Sequence, residues 1–434
     1  RGPLPQPPSP AGAGLMIDLR ALRDDPAYRE GIERKRVPEG LIDEVLAADE
    51  AARALRTEVE GLRARQNAAS KEIKEASPEE RPARIAAAGA LKEELATAEP
   101  RLAEAEAHLA GLALGVPNPA HPSVPDGGED DYEVVRTLGD TPPAPALDHA
   151  AFGEAMGFVD SERAVRASGS RFAYLMGEAV LLELALVRWV MGRLVEEGFT
   201  PVVPPVLVRE SMMEAAGFFP TDRSQVYEVD GGELFLVGTS EVPLAGIHLG
   251  ELVDEESLPR RYGGFSSCFR REAGTYGKDT RGVFRVHQFD KVEMFSYAHP
   301  GSSWEEHEAM LAVEESIVRG LGLPYRVIAV AAGDLGAPAA KKYDLEVWLP
   351  SEGRYRELTS CSNYTDYSAR RLSTRMRPAG GGTTRLVHTL NGTACAVGRT
   401  LLFLFEHYQD EGGALAVPDV LRPFTGFDRV PPPG

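Results

Sequence analysis

The sequence predicts an α+β protein, with an N-terminal antiparallel helical coiled-coil hairpin and a larger domain built on an antiparallel β-sheet with flanking helices. Apolar residues recur at steps of three and four within residues 16–114, as in a coiled-coil seam. Prolines and glycines then punctuate residues 115–130, which we interpret as a linker. In residues 131–434, strand-like segments adjoin without alternating helices, which favours an antiparallel sheet over a doubly wound one.

Length, composition and charge exclude several classes of protein. The chain has 434 residues, enough for two or three domains. Hydrophobic residues make up 43% and charged residues 26%, which excludes global disorder and fibrous classes. Residues 180–195 form the longest apolar stretch, but Glu183, Arg188 and Arg193 interrupt it, so we expect no membrane span. The formal net charge of −19 argues against a globally basic nucleic-acid coat protein and leaves local basic patches open.

The cysteines and the N-terminal segment bear on localisation. Cys268, Cys361 and Cys395 are far apart and form no CxxC pair, so we expect neither a disulfide framework nor a zinc site. This usage fits the reducing cytoplasm. Residues 1–15 are rich in Pro, Gly and Ala and lack the apolar core of a secretory signal. We expect them to be a disordered leader or tag, with the folded chain beginning near Met16.

The segment 16–114 has the pattern of two long helices. Its first half carries Leu55, Val59 and Leu62 at helical spacing, and its second half continues the rhythm more strongly. Pro78 and Pro82 separate the halves, because proline ends one helix and is tolerated at the start of the next. The apolar residues of the second half are Ile85, Ala88, Leu91, Leu95, Ala98, Leu102, Ala105, Leu109 and Leu112. Each arm is expected to be roughly 50 Å long.

The pattern alone leaves two functions open for this hairpin. It is either a dimerisation or spacer coiled coil, or an arm that contacts a large partner. Its distal part, between Arg53 and Arg84, carries eight basic residues against six acidic ones and is the least negative part of an acidic arm. That bias is a weak indication of a polyanionic partner.

The densest cluster of chemically active side chains lies at residues 268–295, which predict a strand, a glycine-containing loop and a second strand. Period-two alternation puts Arg270 and Glu272 on one face of the first strand. The corresponding set on the second strand is Arg285, His287, Phe289, Lys291 and Glu293. A cation for phosphate, an acceptor for an amino group and a ring for stacking suit a nucleotide. The alternative is an exposed strand pair held by cross-strand salt bridges.

This stretch resembles motif 2 of the class II aminoacyl-tRNA synthetases, in the form typical of the seryl-tRNA synthetase family, with FRxEAG, a GxDTRG loop and FRVHQFDKVE. A long helix followed by GFTPVVPPVLV, with its proline at Pro205, resembles motif 1. NGTACAVGRTLLFLFEHYQ, with Arg399, resembles motif 3. VGTSEVPLAG and ELTSCSNYTDYSARR are similar to two further family segments. The resemblance covers Met16 to Phe424 in order and implies a class II catalytic domain over 131–434 that attaches L-serine to serine tRNA through a seryl-adenylate.

The resemblance also implies a binding site for ATP. Arg270 and Arg399 are the residues expected to act catalytically, because their fixed charge suits a phosphorus centre that gains negative charge. Glu357 and Ser360 match the ligands of a Mg²⁺ ion bound with ATP, and their oxygen atoms suit that hard cation. The complete expected ATP-binding set is Arg270, Arg271, Glu272, Val286, Phe289, Glu357, Leu358, Thr359, Ser360 and Arg399.

For the amino acid and the RNA, the resemblance implies further residues. The expected serine-binding set is Thr239, Ser240, Glu241, Arg270, Glu293, Asn391 and Thr393. The expected tRNA-binding set is Arg53, Arg56, Arg63, Lys71, Lys74, Lys278 and Arg281, the last two on the motif 2 loop. The hairpin over 16–114 is then a tRNA-binding domain, and motif 1 implies a homodimer. Serine tRNA is the expected RNA partner, and the sequence leaves open whether selenocysteine tRNA is charged as well.

Three other functions would account for parts of this sequence. A paralogue kept for antibiotic resistance would share the chemistry, and the sequence does not exclude it. A related ligase that loads a carrier protein is expected to lack the arm, so the intact hairpin argues against it. A non-catalytic tRNA-sensing module would have no reason to keep all five of the expected substrate-binding residues Arg270, Glu272, Glu293, Glu357 and Arg399.

Overall fold

The computed structural model describes residues 16–273 and 284–434 of the chain. The expected leader and the loop residues Lys278 and Arg281 lie outside the described residues. The chain divides into two units, Arg1–Pro117 and Asn118–Gly434. The boundary falls inside the predicted linker, and Asn118 already belongs to the larger unit, where its side-chain amide donates hydrogen bonds to the carbonyl oxygens of Pro338 and Tyr364 over 2.9 and 2.8 Å.

The described part of the first unit is helical, with α1 (Leu19–Asp24), α2 (Pro26–Glu33), α3 (Leu41–Glu75) and α4 (Arg81–Leu114). Helices α3 and α4 form the predicted antiparallel hairpin, as the pairing of Arg56 with Glu106 and of Arg63 with Glu99 shows. Two apolar clusters fill the seam, one near its base and one midway along it. Ile85 belongs to the predicted seam but is 53% exposed, because the facing end of α3 carries mainly charged side chains.

The second unit mixes helices and strands. Its helices are α5 (His149–Ala155), α6 (Ser161–Ser168), α7 (Glu178–Glu196), α8 (Glu210–Ala215), α9 (Glu241–Ala245), α10 (Ser303–Gly320), α11 (Tyr367–Leu372), α12 (Val397–Tyr408) and α13 (Arg422–Thr425). Its long strands are β1 (Glu133–Leu138), β9 (Arg260–Phe269), β10 (Gln288–Ala298), β11 (Tyr325–Ala329), β12 (Lys341–Leu349), β13 (Arg354–Asn363) and β16 (His388–Ala396). Its short strands are β2 (Val159–Asp160), β3 (Tyr174–Leu175), β4 (Thr200–Val202), β5 (Leu207–Val208), β6 (Glu228–Val229), β7 (Leu234–Leu236), β8 (Leu252–Asp254), β14 (Arg375–Arg377), β15 (Arg385–Leu386), β17 (Leu415–Ala416) and β18 (Arg429–Val430).

One large sheet organises the second unit. Within the described residues it has eight strands in the order β1-β11-β12-β13-β16-β10-β9-β4, and only the β4–β9 pair is parallel. The predicted antiparallel sheet is therefore confirmed. Strands β13, β16, β10 and β9 are neighbours, so segments far apart in the sequence lie side by side at its centre.

Two of these central strands carry a β-bulge. Leu345 pairs with Thr359 and Glu346 with Glu357, so Leu358 is an extra residue on β13. The register between β10 and β16 shifts in the same way and makes Ala394 an extra residue on β16. A bulge interrupts period-two alternation, so residues three apart can face the same side.

The core of the second unit lies between the sheet and helices α7, α10 and α12. On β10 the apolar Val292 and Met294 face this core, so Lys291 and Glu293 point to the opposite side of the sheet. None of the helices in the described part of the chain combines the length and the apolar composition needed to cross a bilayer.

Candidate active site

Two adjacent cavities lie over the central strands. The first has a volume of about 370 Å³ and is enclosed by β10, β13 and β16, the start of α9 and the segments 216–222 and 335–339. The second has a volume of about 210 Å³ and lies between the end of β9, β10, β13 and the start of α12. Four side chains line both, namely Arg270, Lys291, Ser360 and Thr393. The cavities therefore meet at a place where two cations and two hydroxyl groups converge.

The first cavity contains a connected set of hydrogen bonds. The Thr239 hydroxyl donates to Glu293 Oε2 over 3.1 Å. The Asn391 amide donates to Glu241 Oε2 over 2.9 Å and to Glu293 Oε1 over 3.3 Å. Asn391 Oδ1 has no hydrogen-bond partner among the described residues. Together with Thr393, these residues surround the cavity with acceptors and hydroxyl groups suited to a small polar molecule that carries a cation.

Glu241, the first residue of α9, is 4% exposed. Burial, reinforced by the nearby negative charge of Glu293, raises the pKa of Glu241 to about 8. Glu241 is therefore mainly neutral at pH 7 in the empty cavity.

The nucleotide-like features predicted from the sequence gather in the second cavity. The Arg270 guanidinium lies 5.2 Å from the centre of the Phe289 ring, and its Nε donates to the Gly238 carbonyl over 3.1 Å. Arg399 lies 5.0 Å from the centre of the Phe284 ring. Glu272 and Val286 also line this cavity. Aromatic faces and guanidinium planes around a common space suit the stacking of a planar base.

The backbone around Arg270 differs from the predicted strand. Strand β9 ends at Phe269, and Glu272 adopts a left-handed φ of 49°. Regular alternation therefore does not explain why Arg270 and Glu272 line one cavity. A turn brings them together instead, and there Arg285 donates a hydrogen bond to Glu272 over 2.8 Å. His287 is turned away, with its Nδ1 bonded to the Arg270 carbonyl over 2.8 Å.

The bulge at Leu358 determines which residues of β13 line the second cavity. Glu357 and Ser360 are three apart, yet both line it. The Glu357 side chain is 49% exposed. Its partial desolvation acts to raise the pKa, but nearby cations outweigh this effect and lower the pKa, so the carboxylate is ionised at neutral pH. Those cations are Lys342, Arg399, Arg270 and Lys291.

Three of the expected ligands line neither cavity, and the side chains of two of them, Ser240 and Thr359, point elsewhere. The Ser240 hydroxyl is fully buried and bonds to the Ser266 hydroxyl over 2.7 Å. The Thr359 hydroxyl donates to Glu314 of α10, on the helix-covered face of the sheet, over 2.8 Å. Arg271 is exposed, and its backbone N–H donates to the Gln225 carbonyl over 2.8 Å.

Sequence reasoning also missed several residues that line the cavities. Alternation predicted the correct strand face for Lys291, but the sequence suggested no function for it. In the structure it forms a buried ion pair with Glu293 at the junction of the cavities. Asp222, Lys342 and Tyr364 line the first cavity from separate segments. Strand alternation could have identified Lys291 as a site residue. Asp222, Lys342 and Tyr364 reach the first cavity only through the tertiary fold, which leaves no local signal in the sequence.

The predicted RNA contacts of the hairpin belong to the first unit. Arg53 pairs with Asp49 of its own helix, and Arg56 and Arg63 pair across the hairpin with Glu106 and Glu99. Lys71 and Lys74 lie near the turn and are exposed.

Comparisons with known proteins decide the family. Residues 16–120 match the family model described as the seryl-tRNA synthetase N-terminal domain. Residues 226–408 match the tRNA synthetase class II core domain of the G, H, P, S and T type. The serine–tRNA ligase of Acidothermus cellulolyticus is 48% identical over 421 residues, which is 96% of this chain and 100% of that protein. The chain belongs to the seryl-tRNA synthetase family.

Solved structures agree with this assignment. The seryl-tRNA synthetase of Pyrococcus horikoshii, complexed with ATP, superposes with a TM-score of 0.90 at 37% identity, over 96% of this chain and 100% of that one. The cytoplasmic serine–tRNA ligase of Naegleria fowleri, in complex with AMP, gives 0.86 at 30% identity, over 96% and 99% of the two chains. As a seryl-tRNA synthetase, the chain is an enzyme that uses ATP to attach serine to tRNA.

Proposed function

We propose that the first cavity binds L-serine, that the second binds ATP, and that Arg270 bridges the two substrates. The observation that carries this proposal is the shared lining of the cavities, because it brings an amino-acid carboxylate in the first close to an α-phosphate in the second. Such proximity converts a reaction between two solutes into one within a single complex.

The proposed reaction has two steps. A carboxylate oxygen of serine attacks the α-phosphorus of ATP, a new P–O bond forms, the bond to the β-phosphate oxygen breaks, and pyrophosphate leaves. A ribose hydroxyl at the 3′ end of the tRNA then attacks the carbonyl carbon of the seryl-adenylate, loses its proton and displaces AMP. Arg270 and Arg399 stabilise the negative charge that develops on the phosphate oxygens. Orientation and charge stabilisation do most of the work, so no side chain need act as a strong base.

The hydrogen-bonding groups of the first cavity support serine as the amino acid. Glu293 and Glu241 are acceptors for its ammonium group, and Thr393 and the unpaired Asn391 Oδ1 can bond its hydroxyl. An alanine in the same place would leave these buried groups without partners, which disfavours it strongly.

The residues at the bulge of β13 support Mg²⁺ as the ion that accompanies ATP. Glu357 and Ser360 offer only oxygen atoms to the second cavity, and Glu357 is ionised, which fits this hard cation. When bound, the ion neutralises charge on the ATP phosphates. We expect no zinc, because the three buried cysteines do not have the spacing of zinc ligands.

The exposed surface of α7 supports a homodimer. Leu181, Leu184 and Val195 are 48%, 58% and 52% exposed, and their helical spacing makes an apolar stripe. Such a stripe on a water-facing helix indicates a protein interface. The free thiols support a cytoplasmic location.

Aminoacylation with labelled serine, ATP and Mg²⁺ tests the proposal, with alanine and threonine as parallel labels. Transcripts of serine tRNA and selenocysteine tRNA serve as acceptors, and we expect serine to be attached to both. Serine-dependent pyrophosphate exchange without any charging would contradict the RNA partner, and absence of both would contradict the proposed site.

A further inference from the structure

A fully buried carboxyl group lies directly behind the two cavities. Glu314 of α10 is 0% exposed and reaches the sheet from the side of the core. Its Oε2 accepts the hydrogen bond from the Thr359 hydroxyl of β13 over 2.8 Å. Its Oε1 has no hydrogen-bond partner among the described residues. The reaction proposed above makes no use of this group.

Glu314 also contacts the neighbouring strand. A Cβ atom placed on Gly392 of β16 would lie 2.7 Å from Glu314 Oε1, closer than such atoms approach each other. The carboxyl group therefore lies directly against the glycine backbone, and position 392 has no room for a side chain. Strands β13 and β16 pair at this point, where Cys361 lies opposite Gly392.

The residues on either side of these two contacts line the cavities. Thr359 lies between Glu357 and Ser360, on the strand segment that carries the bulge. Gly392 lies between Asn391 and Thr393. Because side chains alternate along β16, the contact with Gly392 comes from behind while both neighbours face the first cavity.

We propose that Glu314 is a positioning residue, which fixes the serine-binding segment of β16 and the ATP-binding segment of β13 relative to each other by bonding Thr359 and packing against Gly392. This inference rests on the proposed function of the two cavities. A small error in such spacing is costly, because displacements of an ångström reduce rates by roughly 100-fold. Burial raises the pKa of Glu314 well above its usual range and so favours the neutral carboxyl group, which glutamine matches in shape and in charge.

The test measures kcat and KM for serine and for ATP by pyrophosphate exchange, together with the melting temperature, for Glu314→Ala, Glu314→Gln and Glu315→Ala. Glu315 is the matched control, because it is the next residue of α10, is 5% exposed, and accepts hydrogen bonds from Arg136 and Tyr325, at β1 and β11. We expect Glu314→Ala to lower kcat/KM for both substrates by roughly 10-fold or more, through kcat, KM or both, and Glu314→Gln to stay within about twofold of the original protein. Glu315→Ala should lower the melting temperature and leave kcat and both KM values unchanged.

Equal loss of melting temperature in the two alanine variants, with kcat and KM unchanged in both, would overturn the inference, because it would make Glu314 a purely structural residue. A Glu314→Gln variant as impaired as Glu314→Ala would overturn it too. If Glu314→Ala does not fold, Thr359→Val removes the same hydrogen bond without loss of volume. The proposal is supported if Thr359→Val impairs kcat/KM for ATP and Thr359→Ser, which keeps the hydroxyl, returns it to the original value. An unchanged kcat/KM in Thr359→Val overturns the proposal. Absence of serine-dependent exchange in the unmodified protein would instead contradict the proposed function.

Discussion

Lys291 and Glu293 form an ion pair across one face of β10, at the junction of the two cavities, with side chains that are only 8% and 0% exposed. Residues two apart on a strand face the same side, so the pair follows directly from the strand. Lys291 lines both cavities and Glu293 lines the first. The carboxylate in the first cavity is therefore held by an ammonium group that also faces the second cavity.

The first prediction concerns Lys291→Met. It leaves Glu293 as a buried carboxylate without its cation, so we expect the free energy of unfolding to fall by about 3–5 kcal/mol. We also expect serine-dependent pyrophosphate exchange to fall by at least roughly 100-fold. Denaturant unfolding and the exchange assay measure the two effects. Lys341→Met is the control, because Lys341 lines neither cavity and its ammonium lies 4.6 Å from the centre of the Tyr343 ring. Retained exchange in Lys291→Met would disprove the role of the pair.

Arg270→Ala should severely impair adenylate formation, because it removes one of the two cations that line both cavities. A loss of roughly 100- to 1,000-fold in exchange rate is expected from a single charge-stabilising donor. Arg270→Lys should recover little of it, since a point charge cannot donate two parallel hydrogen bonds. Substantial exchange in the alanine variant would refute the assignment.

Glu241 makes stability depend on pH. Its pKa of about 8 in the fold lies above its value of 4.5 in the unfolded chain. The unfolded chain therefore loses this proton first, and the contribution of Glu241 to the free energy of unfolding decreases as the pH rises from about 4.5 to 8. Glu241→Gln carries no such proton. In the absence of serine, we expect the melting temperature of Glu241→Gln minus that of the unmodified protein to increase from pH 5 to pH 8.5. A difference that does not change with pH would contradict this.

The lysines near the hairpin turn should contribute to RNA affinity. Lys71→Gln combined with Lys74→Gln should raise KM for tRNA and reduce the slope of log affinity against log salt by about 1 per lost phosphate contact. Serine-dependent exchange, which needs no tRNA, is the internal control and should not change. If the salt dependence stays the same, these lysines do not contact the RNA.

Leu184→Glu should disrupt the proposed homodimer. It places a charge in the middle of the exposed apolar stripe of α7, where Leu184 is 58% exposed. Sedimentation velocity should report a monomer for this variant and a dimer for Ile85→Glu, which alters an equally exposed apolar residue of the hairpin. A dimer of unchanged affinity in Leu184→Glu would locate the interface elsewhere.

Periodicity predicted most of the fold because long elements repeat their signal many times. The hairpin broken at Pro78 and Pro82 and the helix now seen at Glu178–Glu196 follow from spacing. The strand expected to include Arg285 and His287 begins only at Gln288, so its first residues were predicted wrongly. The order of the central strands cannot be predicted from spacing, because β13, β16 and β10 are brought together by tertiary pairing that leaves no local signal in the sequence.

The candidate site was harder to predict where the backbone departs from regular geometry. Arg270 and Glu272 were expected on a strand face, yet a left-handed residue at Glu272 brings them to the same cavity. Thr359 was included in the ATP-binding set that the family resemblance implies, but its side chain points to the opposite face. Patterns of residue types do not show such local irregularities.

Because of the two bulges, the lining of the second cavity depends on how many residues β13 and β16 have as well as on which residues these are. Glu357 and Ser360 are three apart, as are Thr393 and Ala396, and both pairs face the second cavity because one extra residue lies within each interval. An insertion into β12 opposite Leu358, or into β10 opposite Ala394, would restore regular pairing and turn one member of each pair away. These strands can therefore accept another apolar residue at each bulge, whereas a change in strand length would remove a side chain from the second cavity.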